Sequence, residues 1–148
     1  MAIVVRDYKP EDFESLWRMD QECFPPGVSY SKQELRDFIR HRGSFTLVAT
    51  NENEELQGFI VAYCRRLGHV ITIDVGPRAR RSGVGSLLLR NAEDRMRVAG
   101  CTVIGLETAV DNATALAFYK RHGYSVIRTW PRYYSNGVDA LVLKKDLN

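Results

Sequence analysis

Cysteine and histidine are both scarce in this chain, three of each in 148 residues. Cys23, Cys64 and Cys101 are too few and too scattered for a disulfide framework or a CxxC metal site. His41, His69 and His122 form no HxH or HExxH pair, so no metal is expected. Long apolar runs are missing too: none approaches the ~20 residues that span a bilayer. The opening Met1-Ala2-Ile3-Val4-Val5-Arg6-Asp7 lacks the basic start and apolar stretch of a secretion signal. Together these absences predict a cytoplasmic protein with no membrane partner. Neither sign of charge dominates: 21 Lys and Arg against 18 Asp and Glu leave +3, too little to imply nucleic acid as a partner.

What is present is ordinary globular composition, 45% hydrophobic and 26% charged. Length and composition predict one domain over 1–148. Val4 to Tyr8 reads as a strand, and Pro10 opens an amphipathic helix whose stripe is Phe13, Leu16 and Trp17. Ser31 and Glu34 form a capping box for a second helix. Phe45 to Ala49, Gly58 to Cys64 and His69 to Val75 read as strands. A long helix follows with a stripe of Val84, Leu87, Leu88, Ala92, Met96 and Ala99, closed by Gly100. Cys101 to Thr108, Tyr124 to Trp130 and Asp139 to Leu143 complete the strands, with a helix over 112–122. The order β-α-α-β-β-β-α-β-α-β-β predicts an α/β (α+β) fold, a mixed sheet of about seven strands flanked by about four helices.

Positive charge is concentrated rather than spread: between Arg65 and Arg97 eight arginines face only Asp74, Glu93 and Asp94. Within that stretch, Val75-Gly76-Pro77-Arg78-Ala79-Arg80-Arg81-Ser82-Gly83-Val84-Gly85-Ser86 joins a strand to a helix. Gly83 and Gly85 let backbone approach a ligand, and the free N–H groups of a helix start attract phosphate oxygens. Arg80 and Arg81 reinforce the preference for an anion. A P-loop is excluded because the Gly-Lys-Ser/Thr ending is missing. Leu88 stands where a dinucleotide fingerprint needs its last small residue, although Glu107 lies near the distance of a ribose contact. One such unit in a chain this short leaves no room for a second nucleotide half.

Arg80-Arg81-Ser82-Gly83-Val84-Gly85 resembles the acyl-CoA pyrophosphate motif of the GCN5-related N-acetyltransferase superfamily, Gln/Arg-x-x-Gly-x-Gly/Ala. The order of elements is similar over nearly the whole chain. Three further strings resemble the branch that acetylates protein N-terminal α-amines, including the bacterial ribosomal-protein-alanine acetyltransferases. They are Leu106 to Asn112 with Ala115 to Tyr124, Cys23 to Tyr30, and Arg132-Tyr133-Tyr134 with Asp139 to Leu143. Asp74 departs from the pattern, standing where the family carries a small or apolar residue, and the Pro26-Gly27 insertion also differs from related loops.

The resemblance implies direct transfer of acetyl from acetyl-CoA to an amine, without a metal or a covalent intermediate. Ile73, Asp74 and Val75 would hold the pantetheine arm, the Val75 N–H would stabilise the oxyanion, and Arg81, Ser82, Gly83, Val84, Gly85 and Ser86 would take the pyrophosphate. Asn112 would touch the cosubstrate, and Tyr119 would be the general acid for the departing thiolate. Seven helical steps of ~100° return both side chains to one face. Glu107, at the end of an apolar strand, would be the general base, with His69 in reserve. Tyr30, Tyr133 and Tyr134 would grip the substrate. The implied acceptor is a protein or peptide N-terminus. Alternatives are a small amine such as a polyamine, aminoglycoside or amino acid, and a CoA-binding module without turnover. A monomer or weak homodimer is expected.

Overall fold

The computed structural model describes residues 2–148. Its elements run β1 (Val4–Asp7), α1 (Phe13–Cys23), α2 (Lys32–Arg40), β2 (Ser44–Thr50), β3 (Leu56–Cys64), β4 (Gly68–Val75), α3 (Val84–Val98), β5 (Val103–Ala109), α4 (Ala113–Arg121), β6 (Ser125–Trp130) and β7 (Ala140–Asp146). The seven strands form one mixed sheet in the order β1-β2-β3-β4-β5-β7-β6. All neighbours are antiparallel except β4 and β5. Short 3-10 turns precede α1 (Pro10–Asp12) and α3 (Pro77–Ala79). Ser31 caps α2 by accepting the Glu34 N–H, and the Glu34 side chain returns the bond, as the capping box requires. Among the described residues no helix is long and apolar enough to cross a membrane.

Alternation along β3 divides the core. Phe59 and Val61 point to the face covered by α1 and α2, where Phe13, Leu16 and Leu35 bury them. Ile60 and Ala62 point to the other face, under Leu88, Leu89 and Met96 of α3 and Tyr119 of α4. Each large apolar side chain removed from water contributes roughly 1.5–3 kcal/mol, so burial on both faces fixes the register of this strand. In β4 a register shift against β3 at Ile71 changes which face the following residues meet. Thr72 and Asp74 are thereby buried towards α1, while Ile73 and Val75 pack with the α3 core.

Two sequence expectations are corrected. The buried stripe of α3 contains Leu89 and Glu93, whereas Leu87 is only half-buried and Ala99 is exposed. Glu93 escapes a simple apolar pattern because its carboxylate accepts the Tyr124 hydroxyl at 2.7 Å and the Lys145 ammonium at 3.0 Å. The cysteines are not all isolated: Cys64 and Cys101, 37 positions apart, form a disulfide. Cys64 ends β3 opposite Gly68, Gly68 pairs with Ile104, and Cys101 sits just before β5. Strand neighbours, not sequence spacing, bring the two sulfurs together.

Candidate active site

Between β4 and β5 the sheet opens. The parallel pairing covers only Gly68 with Ile104 and His69 with Gly105, after which the strands diverge and the β5-facing edge of β4 is left without a neighbouring strand. Unpaired strand backbone is a ready template for an extended ligand arm. At the closed end of this gap lies the pair that chain order conceals. His69 Nε2 is 2.9 Å and 3.1 Å from the two carboxylate oxygens of Glu107. His69 is cross-strand partner of Gly105, and Glu107 is the next residue on that face, so register alone brings the two side chains together. The Tyr63 ring stacks beside His69 at 5.1 Å. Tyr133 reaches the same carboxylate, and burial together with Glu107 raises the pKa of its phenol.

Tyr119 approaches from the opposite face. It is buried on α4, its ring 5.7 Å from that of Tyr124, and burial holds its phenol well above the ordinary range. A phenol so placed keeps its proton at neutral pH and is available as a donor. Asn112 does not share a helical face with it, because Asn112 is the N-cap of α4, outside the regular helix. Its side-chain oxygen accepts the Ala115 N–H at 3.1 Å.

The glycine loop divides its labour. Gly83 is the N-cap of α3 with φ +86°, and a Cβ built there would meet nothing within 4 Å: an open cradle at a helix start. Gly85 serves packing instead, since a Cβ there would press on the Phe118 ring at 3.3 Å. Arg81, Ser82, Val84 and Ser86 surround Gly83 in the chain, and their side chains differ in availability. Val84 is buried in the core, Ser82 hydroxyl bonds the Ala79 carbonyl, and Ser86 Oγ lies 2.8 Å from His122 Nε2. Arg81 is exposed with φ +65°. Arg80 is folded back: its Nε donates to the Val75 carbonyl at 3.1 Å and its guanidinium reaches Cys23 Sγ at 3.7 Å. A basic cleft of about 620 Å³ continues beyond the loop between α3, α4 and β7, lined by Arg90, Arg97, Arg121, His122 and Lys145 among others. It lies away from the Glu107–Tyr119 gap.

Two loops cover the other side. That after α1 is fastened by Tyr30, whose N–H donates to Asp20 Oδ2 at 2.8 Å. Its carbonyl accepts from Gln21 at 2.7 Å and from the Trp17 indole at 3.1 Å. The Tyr30 hydroxyl is turned inward to the Ile71 carbonyl at 3.4 Å, so the ring forms a wall rather than offering a free donor. The loop between β6 and β7 carries Tyr133 and Tyr134, with rings 5.0 Å apart and perpendicular. The loops touch where the Ser135 N–H donates to the Gly27 carbonyl at 3.1 Å. A Cβ on Gly27 would lie 2.8 Å from Asn136 backbone nitrogen, so only glycine permits this closure. Sequence reasoning left Gly27 as a mere insertion and missed Asp20 altogether. The available signal was Asp20's place on the stripe of Phe13 and Leu16, a carboxylate on a buried helix face. Asp74 has its side chain buried on the α1 side, away from any ligand lying along the β5 edge. Cys23, between these groups, has its thiol pushed up to about 11 by burial and by Asp74.

Residues 13–124 match the model of the acetyltransferase (GNAT) family. The N-alpha-acetyltransferase 30 of Schizosaccharomyces pombe is 31% identical over 75% of this chain and 77% of its own length. Ard1 from Thermoplasma volcanium shares the fold with a TM-score of 0.90 and 28% identity, over 99% of this chain and 98% of that one. A chain of the NatC complex bound to Gag peptide and CoA gives a TM-score of 0.85 at 27% identity, with 100% of both chains covered. The open edge of β4 and the Gly83 cradle suit an acyl-CoA, and acetyl-CoA is the cosubstrate. The seven-stranded sheet, the glycine loop at the start of α3 and these likenesses converge: the chain is an N-acetyltransferase and belongs to the acetyltransferase (GNAT) family.

Proposed function

We propose that the protein acetylates the N-terminal α-amine of a protein or peptide. The observation that carries this reading is the His69–Glu107 pair, set at the closed end of the β4–β5 gap beneath two aromatic loops that touch through Gly27 and Ser135. A path walled by Tyr30 on one side and Tyr133 and Tyr134 on the other suits a chain end. A peptide α-amine has a reference pKa of ~7.7–8.0 against ~10.4 for lysine, so much more of it is neutral near pH 7. A carboxylate is then a sufficient base.

Acetyl-CoA supplies an activated acyl group. The Gly83 cradle, with the backbone N–H groups of Ser82 to Ser86 and the charge of Arg81, would hold its pyrophosphate. Arg80 would join only by releasing the Val75 carbonyl. The open backbone of Ile73, Asp74 and Val75 would hold its pantetheine arm, and the capped start of α4 at Asn112 would border that arm. Arg90 and Arg121 in the basic cleft would attract its outer phosphate. Glu107 takes a proton from the amine as the nitrogen attacks the acyl carbon, and His69 holds the carboxylate in place. Tyr119, coming from the other face, gives its proton to the sulfur as the C–S bond breaks. No cysteine nucleophile is required, and the Cys23 thiol, raised to about 11, is protonated at neutral pH.

The test is acetyl-CoA consumption against peptides with free and blocked N-termini, polyamines and aminoglycosides. The reading expects turnover of free-terminus peptides and its loss on blocking. Rapid turnover of a small amine with every peptide inert would overturn it.

A further inference from the structure

The mechanism above makes no use of two carboxyl groups buried beside it. Asp20 of α1 and Asp74 of β4 are 0% and 1% exposed, and their side chains meet. Asp20 Oδ2 accepts the Tyr30 N–H at 2.8 Å, and Asp74 Oδ1 accepts the Thr72 hydroxyl at 2.6 Å. The second oxygen of each, Asp20 Oδ1 and Asp74 Oδ2, is buried with no donor. The other groups that face the pair bring it no cation. Glu34 of α2 adds negative charge near Asp20, while Cys23 of α1, Tyr30 and Tyr119 of α4 are neutral neighbours of Asp74. Arg80 is turned to the Val75 carbonyl and the Cys23 sulfur. Two ionised carboxylates without a cation are strongly unfavourable at this depth, whereas one proton between the orphaned oxygens satisfies both.

We propose that Asp20 and Asp74 are positioning residues that share one proton and thereby lock the Tyr30 loop onto β4 for entry of the acceptor amine. Burial and the neighbouring Asp20 hold Asp74 well above the ordinary carboxylate range, and burial raises Asp20 as well. The pair is therefore an acid–carboxylate dyad whose anionic end grips the Tyr30 amide. The dyad also explains why an aspartate stands in β4 at all: its side chain is the donor for Asp20, while only its backbone is left to the cosubstrate. The part concerning acceptor entry rests on the function proposed above.

Three measurements test it. The folded chain holds one proton that the unfolded chain releases above the ordinary carboxylate pKa, so stability falls as pH rises. Above the ordinary carboxylate pKa, and until the dyad itself ionises, the wild-type unfolding constant should grow by up to about tenfold per pH unit relative to Asp74→Asn, whose amide donates permanently to Asp20. Hydrogen exchange should show protection at the Tyr30 amide in wild type, Asp74→Asn and Asp20→Asn, and its loss in Asp20→Ala. Acceptor KM should rise about tenfold or more in Asp20→Ala, as loss of a hydrogen bond to a charged group implies, and recover in Asp20→Asn, while the acetyl-CoA Kd does not follow. Parallel stability curves for wild type and Asp74→Asn overturn the shared proton, whatever the acceptor is. Should Asp20→Ala not fold, the stability slopes and the Asn variants still decide. A Tyr30 amide released with no change in acceptor KM overturns the positioning role. Wild-type protein inert towards every peptide overturns the function proposed above instead, and the slopes still decide the shared proton.

Discussion

Gly27→Ala is a substitution of one methyl group that should separate acceptor binding from cosubstrate binding. Gly27 has φ +88°, a conformation that costs an L-residue ~1–2 kcal/mol. Its new Cβ would stand 2.8 Å from both the nitrogen and the Cβ of Asn136, backbone and near-backbone atoms that a rotamer change does not move. The loops must part, and the bond from the Ser135 N–H to the Gly27 carbonyl is lost, about 1 kcal/mol more. The total of roughly 2–3 kcal/mol corresponds to a fall of about 30–150-fold in kcat/KM for the acceptor. The closure lies on the surface, so the cost appears as an open site rather than as global unfolding. Gly137→Ala is the control: Gly137 lies in the partner loop with φ +85°, yet a Cβ there meets nothing within 4 Å. It carries the strain without the collision. Steady-state kinetics with peptide varied, and titration of acetyl-CoA, read the two variants. Equal losses in both, or an acetyl-CoA affinity that falls in step with acceptor kcat/KM, would refute the idea that these loops close over the acceptor.

Three further outcomes follow from the same geometry. Tyr119→Phe should lower kcat by about 10²–10⁴-fold with acetyl-CoA binding retained, because the phenol matters only when thiolate departs; a wild-type kcat would remove Tyr119 from proton transfer. Replacing Cys64 and Cys101 by Ser opens a link across 37 positions, worth roughly 4 kcal/mol of loop entropy and about 8–16 °C in Tm. An unchanged melting curve under oxidising conditions would refute the link. With the Cys23 pKa raised to about 11 from 9.0, its thiolate fraction at pH 8 falls ~100-fold, and alkylation should be slower than that of free cysteine by at least this factor. Alkylation at the free-cysteine rate would contradict the buried, protonated thiol.

Much of the architecture could be read from local pattern. Alternating strands, the Ser31–Glu34 box and the glycine that ends α3 are short-range features, and the structure has each in place. The Gly83 cradle was equally legible, because a glycine before a helix start has a local physical meaning. What pattern could not supply was adjacency across the sheet. His69 and Glu107 are 38 positions apart, and only the β4–β5 register places one against the other. The same holds for Cys64 with Cys101 and for Asp20 with Asp74. That Gly85 also makes room for a neighbouring ring was not legible, because the Phe118 ring that fills the space beside it arrives from α4. Asn112 and Tyr119 were aligned by helical periodicity, but periodicity does not extend to a cap residue with φ −90° and ψ 76°.

The central claim is that the acetyl group goes to a chain end. It is tested most directly by incubating the protein and acetyl-CoA with one peptide that carries both a free N-terminus and an internal lysine, then locating the acetyl group by fragment mass spectrometry. The account predicts acetyl on the first residue, an unmodified lysine, and loss of the product in Glu107→Gln. Acetyl on the lysine with the N-terminus free would contradict it.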